Sequence, residues 1–457
     1  MKKLVLILAF CVTWFCYAAF TTDPLKPVPI HATLQPEGNI ETGYKYLITG
    51  DYIKSGIPYK LFIKTIGKDT MNYLQRTGNN SVLAPGFTAV KAANGTLIAA
   101  VNCMQCHAQV FDNQLFIGLG NTEIDFSKRS NFSSIGVSMF SAMLSLTDKK
   151  KYQASKQFLN AIKTIGPNLY TEVRGVNAAS KLTALLVAHR DPITLEWNKK
   201  ASLNIPDEVI PSDVPAWWLM KKKNAMFYNG FGRGDFAKFL MASNLLTVSD
   251  SSEAAEVYTH FADVLAYIKS IEPPKYPKTI NEQLAMQGEK LFTNNCSKCH
   301  GTYGAVETYP NLLIPASLIK TDTALFAANY SYPQFVDWFN KSWFTAGDHP
   351  AKLVPYAGYI APPLDGIWIT APYLHNGSVP DLQGVLNSKE RPKYWSRNFE
   401  KQEYNYDVPG WKYKTHAQAK KGIYNTTQKG YGNSGHYFGD KLNAIERTAV
   451  IEYLKTL

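Results

Sequence analysis

The spacing of apolar residues predicts a mainly α fold in which helices are joined by extensive loops. Helical periodicity runs through residues 132–146, 152–165 and 178–189, and an amphipathic pattern continues through residues 251–270. No comparable pattern precedes residue 96, so we expect no long helix in that part of the chain. The N-terminal third is therefore expected to consist of loops and a short β-like run.

Two further helices are predicted near the C-terminal end. One covers residues 280–294, and the other begins at Asn443, with Glu446 three residues later as in a capping box. Gly288 in the first helix would leave room for the second helix near Tyr453, because glycine has no side chain to keep a neighbouring backbone away. We therefore expect these two helices to cross at Gly288.

A proline-rich segment predicts a boundary between two domains. Residues 272–277 read EPPKYP, and proline ends helices because it lacks the backbone N–H. We therefore expect a first domain over residues 19–271, a linker over residues 272–279 and a second domain over residues 280–457.

The N-terminal residues have the pattern of a secretory signal peptide, which we place at residues 1–18. Lys2 and Lys3 supply the positive start, residues 4–15 are apolar, and alanines at 18–19 precede a plausible cleavage point. No later segment is apolar over a length that spans a bilayer, so we expect no transmembrane anchor. The predicted location is periplasmic or secreted.

Two short cysteine motifs carry the chemistry of the chain. Each reads C-x-x-C-H, the attachment signature of a c-type haem, in which two thiols bond the haem vinyl groups and the histidine ligates the iron. The motifs are Cys103, Cys106 and His107, and Cys296, Cys299 and His300. We therefore predict two covalently bound haem c groups in two cytochrome c-like haem domains. The other two cysteines, Cys11 and Cys16, lie in the predicted signal peptide.

Paired cysteines also occur in structural zinc sites and in disulfides. Neither use requires a histidine directly after each pair, whereas both pairs in this chain have one. Haem is attached to C-x-x-C-H outside the bacterial cytoplasm, so the predicted export and the predicted haem attachment support each other.

The basic charge of the chain bears on its partners. A formal net charge of +12 favours an acidic redox protein, because a basic surface steers oppositely charged molecules. Lysines that are simply solvated would give the same total. Nucleic acid is not an expected partner of an exported haem protein, so we expect a redox partner protein or a small electron donor.

The sixth ligand of the second iron is predicted to be a histidine. Methionine is a common alternative, but the last methionine is Met286 and none follows His300. Four histidines are available downstream: His349, His375, His416 and His436. We favour His436, because it lies in a glycine-rich loop, GNSGHYFG, just before the last helix.

The first iron has more candidate ligands. They are Met139, Met143, Met220, Met226, Met241, His189 and His260. An open sixth position would favour dioxygen or peroxide chemistry, whereas a filled one would favour electron transfer. Trp217, Trp218, Phe227 and Tyr228 would either line a pocket beside this iron or pack in the core.

Several stretches together form a recognisable combination of motifs. They are GYKYLITGDYIKSGIPYKLF (43–62), NCMQCHA (102–108), DVPAWW (213–218), KKKNAMFYNG (221–230), PLDGIWITAPYLHNGSVP (363–380), GNSGHYFG (432–439) and ERTAVIEYLKTL (446–457). The segment TAPYLHNGSVPDL, residues 370–382, resembles the motif after the second haem in bacterial dihaem cytochrome c peroxidases and the methylamine dehydrogenase maturase. The whole combination resembles most closely the rubber oxygenase group of dihaem cytochromes.

This resemblance implies an exported oxidoreductase with two covalent haems. The first haem, with His107 as its axial ligand, would be the reactive one, and the second would be an electron-transfer haem held by His300 and His436. Phe227 would lie beside the first haem, where rubber oxygenases keep an apolar pocket for dioxygen. A calcium ion occurs in related peroxidases, but no compact carboxylate cluster in this sequence supports one.

The favoured function is dioxygen or peroxide chemistry at the first haem with electron transfer through the second. Peroxidases need an acid–base residue over the reactive haem, for which Glu123 and Gln109 are candidates. The alternative is that both lie at the surface or behind the residues that contact the haem. The chain is shorter than the rubber oxygenases, so a polymer-binding surface is not predicted. The alternatives are a non-catalytic dihaem electron carrier and a maturation factor that oxidises another protein.

Overall fold

Short strands lie between the helices of this chain, and the fold is mixed α/β. The computed structural model describes residues 26–128 and 134–457, so the predicted signal peptide at 1–18 lies outside the described residues. Helices account for 39% and strands for 14% of the structure. The described residues do not form two separate haem domains. The prediction of a mainly α fold with two cytochrome c-like haem domains is therefore wrong. The strands have two to five residues, too few to give a clear alternating pattern in sequence.

The helices are distributed along the whole described chain. Those before residue 272 are α1 (Ile40–Thr49), α2 (Tyr59–Ile66), α3 (Met104–His107), α4 (Ser134–Thr147), α5 (Lys149–Ile165), α6 (Ala179–Ala188), α7 (Phe236–Met241), α8 (Ser251–Tyr258) and α9 (Phe261–Ser270). Those after it are α10 (Glu282–Asn295), α11 (Ser297–His300), α12 (Ala316–Ile319), α13 (Ala324–Ser331), α14 (Pro333–Asn340), α15 (Leu382–Leu386) and α16 (Ala444–Leu454). In the described residues, no helix is long and apolar enough to cross a membrane.

The strands pair in six small antiparallel sheets within the described part of the chain. The strands are β1 (Val28–Pro29), β2 (Ile57–Pro58), β3 (Phe87–Lys91), β4 (Leu97–Val101), β5 (Ala108–Phe111), β6 (Gln114–Ile117), β7 (Gly232–Gly234), β8 (Leu312–Pro315), β9 (Ala351–Leu353), β10 (Gly358–Ile360), β11 (Tyr394–Arg397), β12 (Tyr404–Asn405), β13 (Gly410–Trp411), β14 (Tyr413–Thr415) and β15 (Tyr424–Asn425). The strand orders are β1-β8-β10, β14-β11-β15, β12-β13, β2-β4-β3, β5-β6 and β7-β9.

Most of the predicted helices are present, but two expectations about them are wrong. Two helices, α1 and α2, precede residue 96, and α1 is stabilised at its start by the side chain of Asn39, which accepts a hydrogen bond from the backbone of Thr42. Residues 251–270 form two helices rather than one. They separate at Thr259, whose hydroxyl donates to the carbonyl of Glu256 at 2.6 Å, a local bond that competes with helix continuation.

The crossing of α10 and α16 is confirmed. A Cβ atom added to Gly288 would lie 1.9 Å from the carbonyl oxygen of Ala449 and 2.9 Å from the Cβ of Tyr453. The capping box is also confirmed, since the side chain of Asn443 accepts from the backbone of Glu446 and the Glu446 carboxylate accepts from the backbone of Asn443. These contacts fix the helix that leads into the second cysteine motif against the C-terminal helix.

We predict that Gly288→Ala lowers the free energy of unfolding by about 2 kcal/mol, because the new methyl group overlaps the backbone of α16. Urea denaturation followed by circular dichroism measures this change. Met286→Ala is the matched control, since Met286 lies on the same helix with 59% of its surface exposed, and we expect it to be nearly neutral. Equal stability of the Gly288→Ala variant and the wild type would contradict the tight crossing.

Two large hydrophobic clusters draw residues from both sides of the predicted linker. The larger cluster includes Leu47, Trp217, Phe261, Phe339 and Leu353. The second cluster includes Phe111, Trp218, Phe292, Trp368 and Tyr453. Trp217 therefore belongs to the larger cluster, and the adjacent Trp218 belongs to the second cluster. The surroundings of both cysteine motifs are connected by packed side chains, while the domain boundaries at residues 271 and 280 stay a prediction.

Candidate haem sites

The first C-x-x-C-H motif is a single helical turn, α3, between strands β4 and β5. The side chain of Asn102 accepts a hydrogen bond from the backbone of Met104, whose side chain is buried in an apolar cluster. The backbone N–H of His107 donates to the carbonyl of Cys103 at 3.1 Å, which closes the turn. Because residues three apart share one face of a helical turn, Cys103 and Cys106 lie on the same side.

Both cysteines of this turn are partly buried, and each thiol has a polar neighbour. The Cys103 sulfur lies 4.0 Å from the Ser243 hydroxyl, and the Cys106 sulfur accepts a hydrogen bond from the Asn177 amide at 3.4 Å. Burial raises the pKa of Cys103 to about 11 and raises the pKa of Cys106. Both are free cysteines, so their sulfur atoms are available for thioether bonds.

The imidazole of His107 stacks on the indole of Trp217, with ring centroids 4.6 Å apart. Its Nδ1 atom is buried and has no hydrogen-bond partner in the structure. Burial lowers the pKa of His107 to about 3, so the ring is neutral at ordinary pH. A buried neutral imidazole with unused hydrogen-bonding capacity is well suited to ligate a metal ion.

The second motif forms the same turn at the end of a long helix. The backbone of Cys296 donates to Phe292 of α10 at 2.7 Å, and the backbone of His300 donates to Cys296 at 3.1 Å. The turn α11 thus repeats the Cys103–His107 bond, although a helix leads into it instead of a strand. A strand therefore precedes the first motif and a helix the second, as the sequence predicts, whereas differently built haem pockets stay a prediction.

The rings of His300 and His436 face each other. Their centroids are 6.2 Å apart and their planes are inclined by 62°. A metal ion bonded to one nitrogen of each ring at about 2 Å separates the centroids by roughly 6 Å, so the gap fits one shared ion. The Nδ1 atom of His300 donates to the Pro362 carbonyl at 2.8 Å, which leaves the lone pair on Nε2.

His436 is half-buried, and its ring is neutral at ordinary pH. Burial, followed by the nearby His300 and Arg391, lowers the pKa of His436 to about 4. Its Nδ1 atom has no hydrogen-bond partner in the structure, as in His107. The backbone at His436 has φ +49°, a left-handed conformation that few residues with side chains adopt. Such backbone geometry is often found where a fold holds a functional side chain in place.

Arg391 fastens the loop that carries His436. Its guanidinium donates to the carbonyls of Asn433 and Gly435, both at 2.6 Å, and to that of His436 at 3.2 Å. The backbone of His436 also donates to the Ile319 carbonyl at 2.8 Å. Sequence reasoning missed Arg391, because it lies in a different segment and no local pattern relates it to the loop.

The other downstream histidines have different surroundings. The ring of His375 stacks on Tyr359 with centroids 4.1 Å apart, and burial lowers its pKa to about 3. The Nε2 atom of His416 forms a 2.8 Å hydrogen bond with the Ser396 hydroxyl. His349 is half-buried in the segment before β9. Of these candidates, His436 is the one that the fold brings to His300.

The candidate ligands of the first iron differ in their burial and in their contacts. Met139 and Met143 are exposed on α4, whereas Met220 and Met241 are buried in the larger cluster. His189 stacks on Trp197 and its Nδ1 lies 2.9 Å from the Asn198 carbonyl, and the ring of His260 is tilted against that of Tyr46 at 4.4 Å. Met226 is half-buried next to Phe227.

The aromatic candidates divide into two kinds. Trp217 and Trp218 are almost completely buried and belong to the cores, as the packing interpretation holds. Phe227 keeps 38% of its surface exposed and has φ +68°, which is unusual for a bulky side chain. Its ring lies near Phe231, with centroids 5.2 Å apart, and the next residue, Tyr228, donates to the carboxylate of Asp213 at 2.6 Å.

Glu123 and Gln109 form contacts that stabilise the segment after the first motif. The Glu123 carboxylate pairs with the guanidinium of Arg397 at 2.9 Å and lies 3.5 Å from that of Arg174. The amide oxygen of Gln109 accepts from the backbone of Thr122 at 2.8 Å. Both candidate acid–base residues are therefore engaged in contacts that stabilise the fold.

We predict that Glu123→Gln lowers the free energy of unfolding by about 2 kcal/mol, because it leaves the buried Arg397 without its carboxylate. Chemical denaturation measures the loss. Glu41→Gln is the matched control, since the Glu41–Lys45 pair is exposed and contributes little. If Glu123→Gln keeps full stability but alters the reaction with peroxide, the structural role is wrong.

No group of three or more His, Cys, Asp or Glu side chains that could hold a metal ion is found in residues 26–128 and 134–457. Each of the two cysteine turns presents two thiols and one histidine, the groups that attach a c-type haem and ligate its iron. The two turns favour a protein of the cytochrome c-like class.

A comparison with protein families supports this class. A family model described as RoxA-like, cytochrome c-like matches residues 358–396, the segment that contains His375 and Arg391. This match supports a c-type cytochrome of the rubber oxygenase type, with covalently bound haem c and a redox function. It gives no support to a place beside the methylamine dehydrogenase maturase.

Two curated relatives come from Sinorhizobium fredii (strain NBRC 101917 / NGR234). Uncharacterized protein y4iM is 27% identical over 42% of this chain and 48% of its own length. Uncharacterized protein y4iJ is 43% identical over 22% of this chain and 18% of its own length. The matched regions thus span less than half of either relative.

Proposed function

We propose that the chain is an exported dihaem c-type cytochrome oxidoreductase, with dioxygen or peroxide chemistry at the first haem and electron transfer through the second. The observation that carries this proposal is the repeated Cys-x-x-Cys-His turn. Among the described residues, a second histidine ring faces the histidine of the second turn, and none faces that of the first. The RoxA-like match adds support for the class. Periplasmic or secreted location follows from the predicted signal peptide and from the site of haem attachment.

The second site is suited to electron transfer. Cys296 and Cys299 would hold the haem covalently, and His300 and His436 would ligate its iron from opposite faces. When bound, the haem would supply a redox-active iron, and two histidine ligands from the protein would suit it to electron transfer. The Pro362 carbonyl orients the first imidazole, and the Arg391 contacts hold the loop of the second.

The first site is suited to chemistry on a small oxidant. Cys103 and Cys106 would hold the haem and His107 would ligate it from one face. When bound, haem c supplies a redox-active iron that reacts with dioxygen or peroxide if its other face is open. In the described residues, the ring of His107 lies against Trp217 and no second histidine ring faces it, which supports an open face. Phe227 would contribute an apolar wall that keeps water away.

The experiment that tests the proposal combines haem stoichiometry with electron paramagnetic resonance on the full chain. Pyridine haemochrome should give two covalent haems per chain, and the oxidised protein should show one high-spin and one low-spin iron. Two low-spin irons would instead favour the non-catalytic electron carrier. Fewer than two covalent haems would refute the dihaem proposal.

A further inference from the structure

Helix α4 presents an apolar stripe to solvent along its whole length. The stripe consists of Ile135, Met139, Met143 and Leu146, with exposed fractions of 71%, 69%, 49% and 87%. Their spacing of four, four and three residues places them on one face of the helix. Single exposed apolar residues are ordinary, but four in line on one helix indicate an interaction surface.

The opposite face of α4 fixes the orientation of the stripe. Val137 and Leu144 are buried and form a cluster with Leu159 of α5, against which Phe140 also packs. The two helices therefore form a hairpin whose inner face is closed. The stripe is the outer face of this hairpin, and it is not needed to hold α4 in place.

The charges of the hairpin are strongly one-sided. α4 has no charged residue, whereas the rest of the hairpin carries five exposed lysines: Lys149, Lys150, Lys151, Lys156 and Lys163. The one acidic residue of residues 134–166 is Asp148. Its carboxylate caps α5 and pairs with Lys151 at 2.6 Å. A partner that binds this surface therefore needs an apolar interior to contact the stripe and a negatively charged surface to contact the lysines.

We propose that the α4–α5 hairpin docks on an anionic phospholipid surface. The apolar stripe would enter the boundary between headgroups and acyl chains, while the lysines would lie at the level of the lipid phosphates. A helix of 14 residues is about 21 Å long, too short to span a bilayer but long enough to lie along its surface. The proposal is independent of the haem chemistry, because the hairpin contains no cysteine motif.

An anionic bilayer fits the stripe better than a protein partner does. The stripe consists of flexible aliphatic and methionine side chains, and the other exposed residues of α4 are small or hydroxyl-bearing, such as Ala142 and Thr147. Protein interfaces are instead commonly anchored by aromatic or arginine side chains. None stands among the exposed residues of α4 that the structure describes.

The test is sedimentation of the haem-loaded full chain with lipid vesicles. We expect binding to vesicles of phosphatidylcholine mixed with phosphatidylglycerol, and weak binding to phosphatidylcholine alone. Ile135→Glu combined with Leu146→Glu should lower binding to the anionic vesicles by about tenfold or more. Lys149→Gln combined with Lys150→Gln should lower it several-fold, and added salt should have the same effect.

The matched control combines Leu34→Glu with Ile445→Glu. These residues are 81% and 74% exposed outside the hairpin, so the control adds the same charge at other places and should bind like the wild type. Circular dichroism and haem absorbance show whether each variant is folded. Absence of wild-type binding, equal binding of the Ile135/Leu146 variant, or equal loss in the control would overturn the proposal. Loss of a dimer in that variant, without vesicle binding by the wild type, would assign the stripe to a second copy of the chain.

Discussion

Replacing Cys296 and Cys299 together with alanine is expected to reduce the covalent haem content from two per chain to one. The thioether bonds of the second haem need both sulfur atoms, whereas His300 alone would hold a haem only by coordination. Denaturation followed by haem staining separates covalent from coordinated haem, and pyridine haemochrome counts what remains. The effect is large because no other described cysteine lies in this turn.

The first motif supplies the complementary experiment. Cys103→Ala combined with Cys106→Ala should also leave one covalent haem, and the two variants should differ in which spin state is lost. Ser297→Ala combined with Lys298→Ala is the matched control, because these residues lie between the two cysteines and provide no bond to haem. If either cysteine pair can be removed without loss of a covalent haem, the dihaem assignment fails.

The parts of the fold that could be predicted are those with strong local signals. The two cysteine turns need five consecutive residues, and their backbone hydrogen bonds are the same in both places. The crossing at Gly288 depends on a missing side chain, and the capping box at Asn443 depends on two residues three positions apart. Such signals are contained in a short stretch of sequence, so reasoning from sequence can find them.

The parts that could not be predicted depend on contacts between distant segments. Strands of two residues, such as those at Val28 and Ile57, form only because a partner strand from a distant segment offers hydrogen bonds. The hydrophobic clusters likewise join Phe111 to Trp368 and Trp217 to Phe339 across the predicted linker. The mainly α prediction failed because it counted periodic helices and had no measure of these pairings.

His436 lies between these two cases. The glycine-rich loop drew attention to His436 in the sequence. Gly435 and His436 both have a positive φ, +81° and +49°, and glycine adopts such a conformation without steric cost. The position of His436 opposite His300 nevertheless depends on Arg391, which donates three hydrogen bonds to backbone carbonyls of that loop. A local pattern therefore identified the candidate, and a long-range contact places it.

We expect His436→Ala to convert the second haem from low spin to high spin. The substitution removes the ring that faces His300 at 6.2 Å and leaves the covalent attachment through Cys296 and Cys299 intact. The haem count should therefore stay at two, while the low-spin resonance of the oxidised protein disappears. Imidazole added to the variant should restore it, because the free ligand occupies the space that the side chain has left.

His416→Ala is the matched control for this change. His416, like His436, follows the second motif in the sequence, but its Nε2 atom is hydrogen bonded to Ser396 on strand β11. Its removal should leave the spin state unchanged. If the low-spin signal survives in His436→Ala and is lost in His416→Ala, the facing rings of His300 and His436 do not share an iron, and the axial ligand has to be sought among the other downstream histidines.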